Sequence, residues 1–215
     1  GKDYLPNVEV LDQNGRPLRF YDDLIHGKIV VISFVYTSCS SICPLAIARL
    51  AEVQDKLADV MGRDINFISV SIDPIPDTPE KLLEHAKAFG VGPGWAFVTG
   101  SLENIDLIRY KLGERSGKSI NQHKNEILLY NDTTGEWLRD SAFADLGVLE
   151  LTIRGMDPKV RYAAKAPAAA LPLALAGAAQ EGPGQALFIK ACASCHSIGK
   201  GSKVGPDLAG LQSRR

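Results

Sequence analysis

The sequence predicts an α/β fold: a mixed sheet flanked by helices, opened by a β-hairpin and followed by a linker and a short all-α segment. Three observations carry this reading. β-branched apolar runs alternate with segments of helical period through residues 1–158. Their order, a hairpin and then β-α-β-α-β-α-β-β-α, implies one sheet covered by helices on both faces. After residue 158 the patterning gives way to a stretch rich in Ala and Pro.

Each element has its own signal. Residues 8–11 and 18–20 flank Asn14-Gly15, a strong hairpin turn. Residues 28–36 (KIVVISFVY) form a β-branched apolar run suited to a buried central strand. A helix is expected over 42–61, with Leu45, Leu50, Val53, Leu57 and Val60 on its apolar side, and then a buried strand over 65–72. Thr78-Pro79-Glu80 reads as an N-cap with proline in the first turn of a helix reaching about residue 89. Residues 95–99 form a short strand, and a helix over 102–112 starts after Ser101. A hairpin pairs 126–130 with 136–140, and a last helix covers 144–155. Trp95, Met61 and Met156 are expected to pack in the core, His26 to sit in a loop and His85 on a helix surface.

Composition fits a globular core, with 45% apolar and 23% charged residues. The net charge of −1 conceals a division: residues 1–158 carry 16 Lys/Arg and 23 Asp/Glu (−7), residues 159–215 carry 8 and 2 (+6). No aromatics interleave with the basic residues, so nucleic acid is not an expected partner. The longest nearly apolar run, the 14 residues 166–179, contains Pro167 and Pro172. It is too short to span a bilayer core of about 30 Å, and its place after the first domain makes it a linker. An export signal or membrane anchor is expected to belong to a longer parent chain. The predicted organisation is a domain over 1–158, an Ala/Pro-rich linker over 159–182 and a second domain over 183–215.

All four cysteines fall in two tight pairs, which points to two reactive centres and not a disulfide framework. Cys39 and Cys43 lie where a buried strand gives way to a helix, with Pro44 in the first turn. A thiol there feels the positive end of the helix dipole, which favours thiolate. Residues four apart share a helical face, so both sulfurs are expected to converge on one ion or to oxidise to each other. Two thiolates suit Cu(I), and an imidazole would widen the site to Cu(II). His123, just before the strand at 126–130, is the candidate.

This stretch resembles the Sco (SenC) family of copper-binding, thioredoxin-like proteins. The resemblance rests on Tyr36-Thr37-Ser38-Cys39-Ser40-Ser41-Ile42-Cys43-Pro44, on Ser71-Ile72-Asp73-Pro74 with Asp77-Thr78-Pro79-Glu80, and on His123. It implies a thioredoxin-like fold over about residues 5–157, with Cys39, Cys43 and His123 as copper ligands. It also implies a role in assembling the Cu(A) centre of cytochrome c oxidase. One departure is Gln122, where the family carries Asp before its histidine. For Asp73 and Asp77, two readings stand side by side. One is turn chemistry and helix capping; the other, from the family, is electrostatic support or partner surface near the metal.

Cys192-Ala-Ser-Cys195-His196 has the spacing of covalent c-type haem attachment. With Gly184-Gln185-Ala186-Leu187-Phe188 before it and Gly205-Pro206-Asp207-Leu208 after it, the segment resembles a class I cytochrome c. That resemblance implies thioether bonds from Cys192 and Cys195, His196 as the axial iron ligand, and the Pro206 carbonyl orienting the imidazole. Only 19 residues follow His196, and none is Met or His. The resemblance thus covers the front of that domain, a truncated all-α segment not expected to form a six-coordinate haem alone.

The two motifs together predict a periplasmic, copper-binding metallochaperone-like protein. Its expected work is delivering copper or reducing equivalents to cytochrome c oxidase or another cuproenzyme, with a fused haem c module that passes single electrons. The alternative is a thiol–disulfide oxidoreductase acting on cysteines of a cuproenzyme, with Cys39 attacking and Cys43 resolving. Against that enzyme stand three intervening residues where thioredoxin-type enzymes have two, and the absence of any proline between Pro93 and Pro158.

Overall fold

The Asn14-Gly15 signal is realised as a hairpin of β1 (Glu9–Asp12) and β2 (Pro17–Arg19). Gly15 takes φ 75°, and the Asp12 carboxylate closes the turn by accepting from the Asn14 and Arg16 amides, both at 2.9 Å. The computed structural model describes residues 4–39, 42–114 and 125–165, with Cys192, His196, Ile198, Gly199, Leu208 and Ala209 beyond them. The chain divides into two compact units, Gly1–Asp157 and Pro158–Arg215.

In the first unit β3 (Ile29–Val35), α1 (Cys43–Lys56), β4 (Ile65–Ser71), α2 (Pro79–Ala88) and β5 (Trp95–Thr99) follow the hairpin. Then come α3 (Leu102–Leu112), β6 (Glu126–Asn131), β7 (Glu136–Ser141) and α4 (Leu146–Arg154). The seven strands form one sheet in the order β2-β1-β5-β4-β3-β6-β7. β3, β4 and β5 run parallel at its centre, while β1 and β6 flank them antiparallel. The mixed sheet follows from the chain order, since α1 and α2 are crossovers between parallel strands and the outer strands return through hairpins.

Strand alternation divides the core into two layers. Val30, Ile32 and Phe34 of β3 join Ile68, Val70 and Val98 beneath Ile105, Ile108 and Leu112 of α3. Ile29, Val31 and Val35 face the other way, against Ile47, Leu50 and Val53 of α1, Leu82 of α2 and Leu149 of α4. With both faces covered, every residue of β3 is buried, which is why it reads as a continuous apolar run. Trp95 and Met156 are core residues as expected.

Several boundaries differ from the sequence expectation. α1 ends at Lys56, not near residue 61: the Val60 and Met61 amides both donate to the Leu57 carbonyl, closing turns in place of the helix ladder. Leu45, expected on its apolar side, is exposed. α4 begins at Leu146 because Asp145 caps it, accepting from Gly147 and Val148 at 2.9 and 3.1 Å. His85 is half-buried against the rings of Phe89 and Phe97, not on a helix surface.

In the second unit, residues 159–165, expected to open the linker, belong to α5 (Pro158–Lys165). The Ala/Pro-rich stretch at 166–182 lies outside the described residues. Among those that are described, no helix is long and apolar enough to cross a membrane.

Candidate functional site

Four segments meet at the carboxyl ends of the parallel strands. β3 ends at Val35 and turns through Tyr36–Cys39, with the Cys39 amide donating to the Tyr36 carbonyl at 3.3 Å. α1 starts at Cys43 with Pro44 in its first turn, and its N-cap, Ile42, offers no side-chain acceptor. Ile72, just past β4, donates its amide to Val35 at 2.8 Å, stitching the next loop to the cysteine loop. β6 comes in antiparallel to β3 with Ser33 opposite Ile127. That brings the entry to β6 to the same end, and Asn125, Glu126, Ile127 and Cys43 line one small cavity.

Cys39 and Cys43 are thiols, not a disulfide, and are 8% and 1% exposed. Both belong to the core layer under α3. They converge by a different route from the one expected. Cys39 precedes α1 and Cys43 is its first residue, so no helical face is shared, and the turn before the helix brings them together. The Cys43 thiol also departs from the expected thiolate. Burial is the main cause that pushes it far above the ordinary thiol range, and its hydrogen bond with Cys39 and that neighbour's charge add to the rise. Backbone amide contacts pull the other way and are outweighed. Desolvation at a 1% exposed sulfur thus outweighs those backbone contacts.

Two residues to which the sequence reading gave no role now join the site. The Tyr36 hydroxyl hydrogen-bonds Cys39, and this contact first, then burial, raises the phenol well above its ordinary value. Thr37 is fastened to Asp77, whose side chain is completely buried. The Thr37 amide donates to Asp77 Oδ1 and Oδ2 at 3.2 and 3.3 Å, and its Oγ1 donates to Oδ1 at 2.5 Å. Ser71 Oγ donates to Oδ2 at 2.6 Å. Asp77 therefore does not cap α2; Thr78 does. Asp73 is held above the usual carboxylate range, by burial first and then by the charge of Asp77. The only advance signal for this cluster was the Ser71…Asp73…Asp77 spacing.

His123 lies outside the described residues, as does Cys195. Among the described residues no three His, Cys, Asp or Glu side chains form a group arranged for a metal ion. At the second motif, the His196 amide donates to the Cys192 carbonyl at 2.8 Å.

Comparison with known proteins follows this division. Residues 182–215 match the cytochrome c family model. The SCO2-like protein RC0895 of Rickettsia conorii is 35% identical over 99 residues, 46% of each chain. The chain spans about half the length of the curated relatives it matches. Among solved structures, a SCO1/SenC family lipoprotein from Bacillus anthracis superposes with a TM-score of 0.61 at 24% identity, over 71% of this chain and 94% of that one. Yeast Sco1 with copper bound gives 0.57 at 20% identity, over 79% and 98%. These likenesses show the fold, which is thioredoxin-like. The SCO1/SenC family model matches residues 2–134, more than half of the sequence, and the chain belongs to that family.

Proposed function

We propose that this chain binds copper through Cys39, Cys43 and His123 and works as a metallochaperone for the Cu(A) site of cytochrome c oxidase or a related cuproenzyme. The observation that carries the reading is the pair of buried, hydrogen-bonded thiols at the carboxyl end of β3. A soft ion suits such a site, because thiolate sulfur binds Cu(I) strongly and the metal displaces protons that burial otherwise retains. Copper here is cargo. The position of His123 in the chain supports it as third ligand: Asn125 shares a cavity with Cys43, and two residues of chain span at most about 7 Å. The copper-bound yeast relative with the same fold supports the assignment further.

The match at 182–215 and the Cys192–His196 turn support haem c attachment, with Cys192 and Cys195 forming thioethers and His196 binding the iron. The haem would supply single-electron transfer. Such attachment and such a client fit a periplasmic location. The competing thiol–disulfide oxidoreductase needs an accessible thiolate for attack. Burial of both sulfurs works against it.

Titration of the reduced protein with Cu(I) and Cu(II), monitored against a competing chelator, tests the proposal. One tightly held Cu(I), lost in Cys39→Ala and Cys43→Ala, and weakened Cu(II) binding in His123→Ala are expected. Copper binding that is unchanged in all three variants, accompanied by fast turnover of a protein disulfide, would establish the oxidoreductase instead.

A further inference from the structure

We infer that Asp77 is a positioning residue: its buried carboxylate latches Thr37 and thereby fixes the turn that holds Cys39 beside Cys43. The inference rests on the copper-binding reading for its purpose, but its geometry stands apart from any metal.

Asp77 is completely buried, yet its partners are an amide and two hydroxyls, not a cation. A carboxylate removed from water is tolerated only when its oxygens are satisfied by well-placed donors. Here the donors come from two strands. Thr37 supplies an amide and a hydroxyl from beyond β3, and Ser71 supplies a hydroxyl from the end of β4. Ser71 Oγ also accepts from the Asp73 amide at 3.1 Å, and the Asp77 amide donates to the Asp73 carbonyl at 3.1 Å, so the loop that carries the carboxylate is itself closed. Thr37 stands two residues before Cys39, and α1 begins without a side-chain cap. Of the described contacts to the turn before Cys39, those to Asp77 are the ones that gather both of Thr37's donors on one group.

The consequence is specific. With the latch made, the turn keeps the Cys39 sulfur in the core layer and within hydrogen-bonding reach of Cys43. With it broken, the Thr37 amide and hydroxyl lose an ionic acceptor, and the segment from Tyr36 to Cys39 gains alternative conformations that open the thiols to solvent. The hydrogen bonds of the Asp77 carboxylate go to Thr37 and Ser71, so it acts on the sulfurs through Thr37.

The test uses the full reduced chain and two readouts: the rate of thiol alkylation by iodoacetamide, resolved for Cys39 and Cys43 by mass spectrometry, and the rate of Cu(I) loss to a chelator. Asp77→Asn keeps the volume but loses one acceptor, and is expected to speed both rates about tenfold, the scale of a lost charge-assisted hydrogen bond. Asp145→Ala, which removes the cap of α4, supplies a control for general destabilisation and should leave both rates near wild type. Thr37→Val, milder because the amide remains, should give a smaller rise, and Thr37→Ser should restore the wild-type rate. Because both side chains act through one contact, the Asp77→Asn/Thr37→Val double variant should alkylate no faster than Asp77→Asn alone. Additive effects, or an alkylation rate in Asp77→Asn that only matches the Asp145→Ala control, would overturn the latch. If wild type holds no copper, the proposed function fails while alkylation still decides the latch; copper bound by a chain with unchanged alkylation sinks the latch alone.

Discussion

Ser69 occupies the middle of β4, completely buried, with two partners on its single oxygen. Ser33 Oγ, its cross-strand neighbour on β3, lies 2.8 Å away, and Trp95 Nε1 on β5 donates to it at 2.9 Å. The small network thus ties together the three parallel strands whose ends carry the cysteine and aspartate loops. In Ser69→Ala, the indole N–H and the Ser33 hydroxyl are both left without that partner in the core. Each buried neutral group stranded in this way costs about 1–3 kcal/mol, so the change is expected to remove about 2–6 kcal/mol of stability. Ser33→Ala leaves the Trp95–Ser69 bond in place and should cost about 1 kcal/mol. Against a domain stability of roughly 5–15 kcal/mol the difference is large. Urea denaturation followed by Trp fluorescence measures it as a drop in midpoint at constant slope. If Ser69→Ala loses no more stability than Ser33→Ala, the oxygen does not serve two partners, and the account of how the strands are tied is wrong.

Two further outcomes follow from the packing. His85 sits against Phe89 and Phe97, and burial first, opposed by the charge of Asp77, holds its imidazole below the ordinary value of about 6.5. The unfolded chain then binds the proton more readily than the native one, so this contribution to stability is whole above about pH 6.5 and declines as pH falls through it. His85→Phe should flatten the difference in urea midpoint between pH 7.5 and pH 5; an undiminished pH dependence in the variant would assign it elsewhere. Asp145→Ala, which removes the acceptor for the Gly147 and Val148 amides, should cost about 1 kcal/mol in the same denaturation assay, whereas Asp145→Asn should cost less.

The strands of this domain were legible because each signal is local. A buried central strand is largely apolar on both faces, and 28–36 is; a tight hairpin turn favours glycine at a positive φ, and Gly15 after Asn14 supplies it. The end of α1 was not legible for the same reason. Hydrophobic period reports which positions are buried, not whether the backbone between them is still helical. Leu57 is fully buried and Val60 packs against the same core layer, so the apolar pattern runs on after Lys56 through a turn. Past that turn the chain also meets a segment remote in sequence. A Cβ on Gly94, at φ 86°, would stand 2.4 Å from the Gly62 nitrogen, so the segments before β4 and β5 meet backbone to backbone. No window over 42–61 contains that fact.

The candidate site divides along the same line. That Cys39 and Cys43 come together could be read from spacing, but not through a shared helical face. The observed reason is topological. Parallel β3 and β4 deliver the Cys39 turn and the Asp77 loop to the same end, where open α/β sheets gather their functional groups. Antiparallel β6, with Ile127 opposite Ser33, enters the sheet at that same end. A histidine four residues before Ile127 is therefore a credible third ligand because of strand direction, and its own neighbours Gln122 and Lys124 carry none of that information. Thr37 and Asp77 make the point more sharply, since they are 40 residues apart and share two hydrogen-bonding groups on one carboxylate. Motif spacing could place an acid near the site but gave no way to tell a surface charge from a buried acceptor. Burial decides between them: an exposed Asp77 would act on copper or a partner through its field, whereas one with no solvent exposure and three donors in place acts through the backbone it holds.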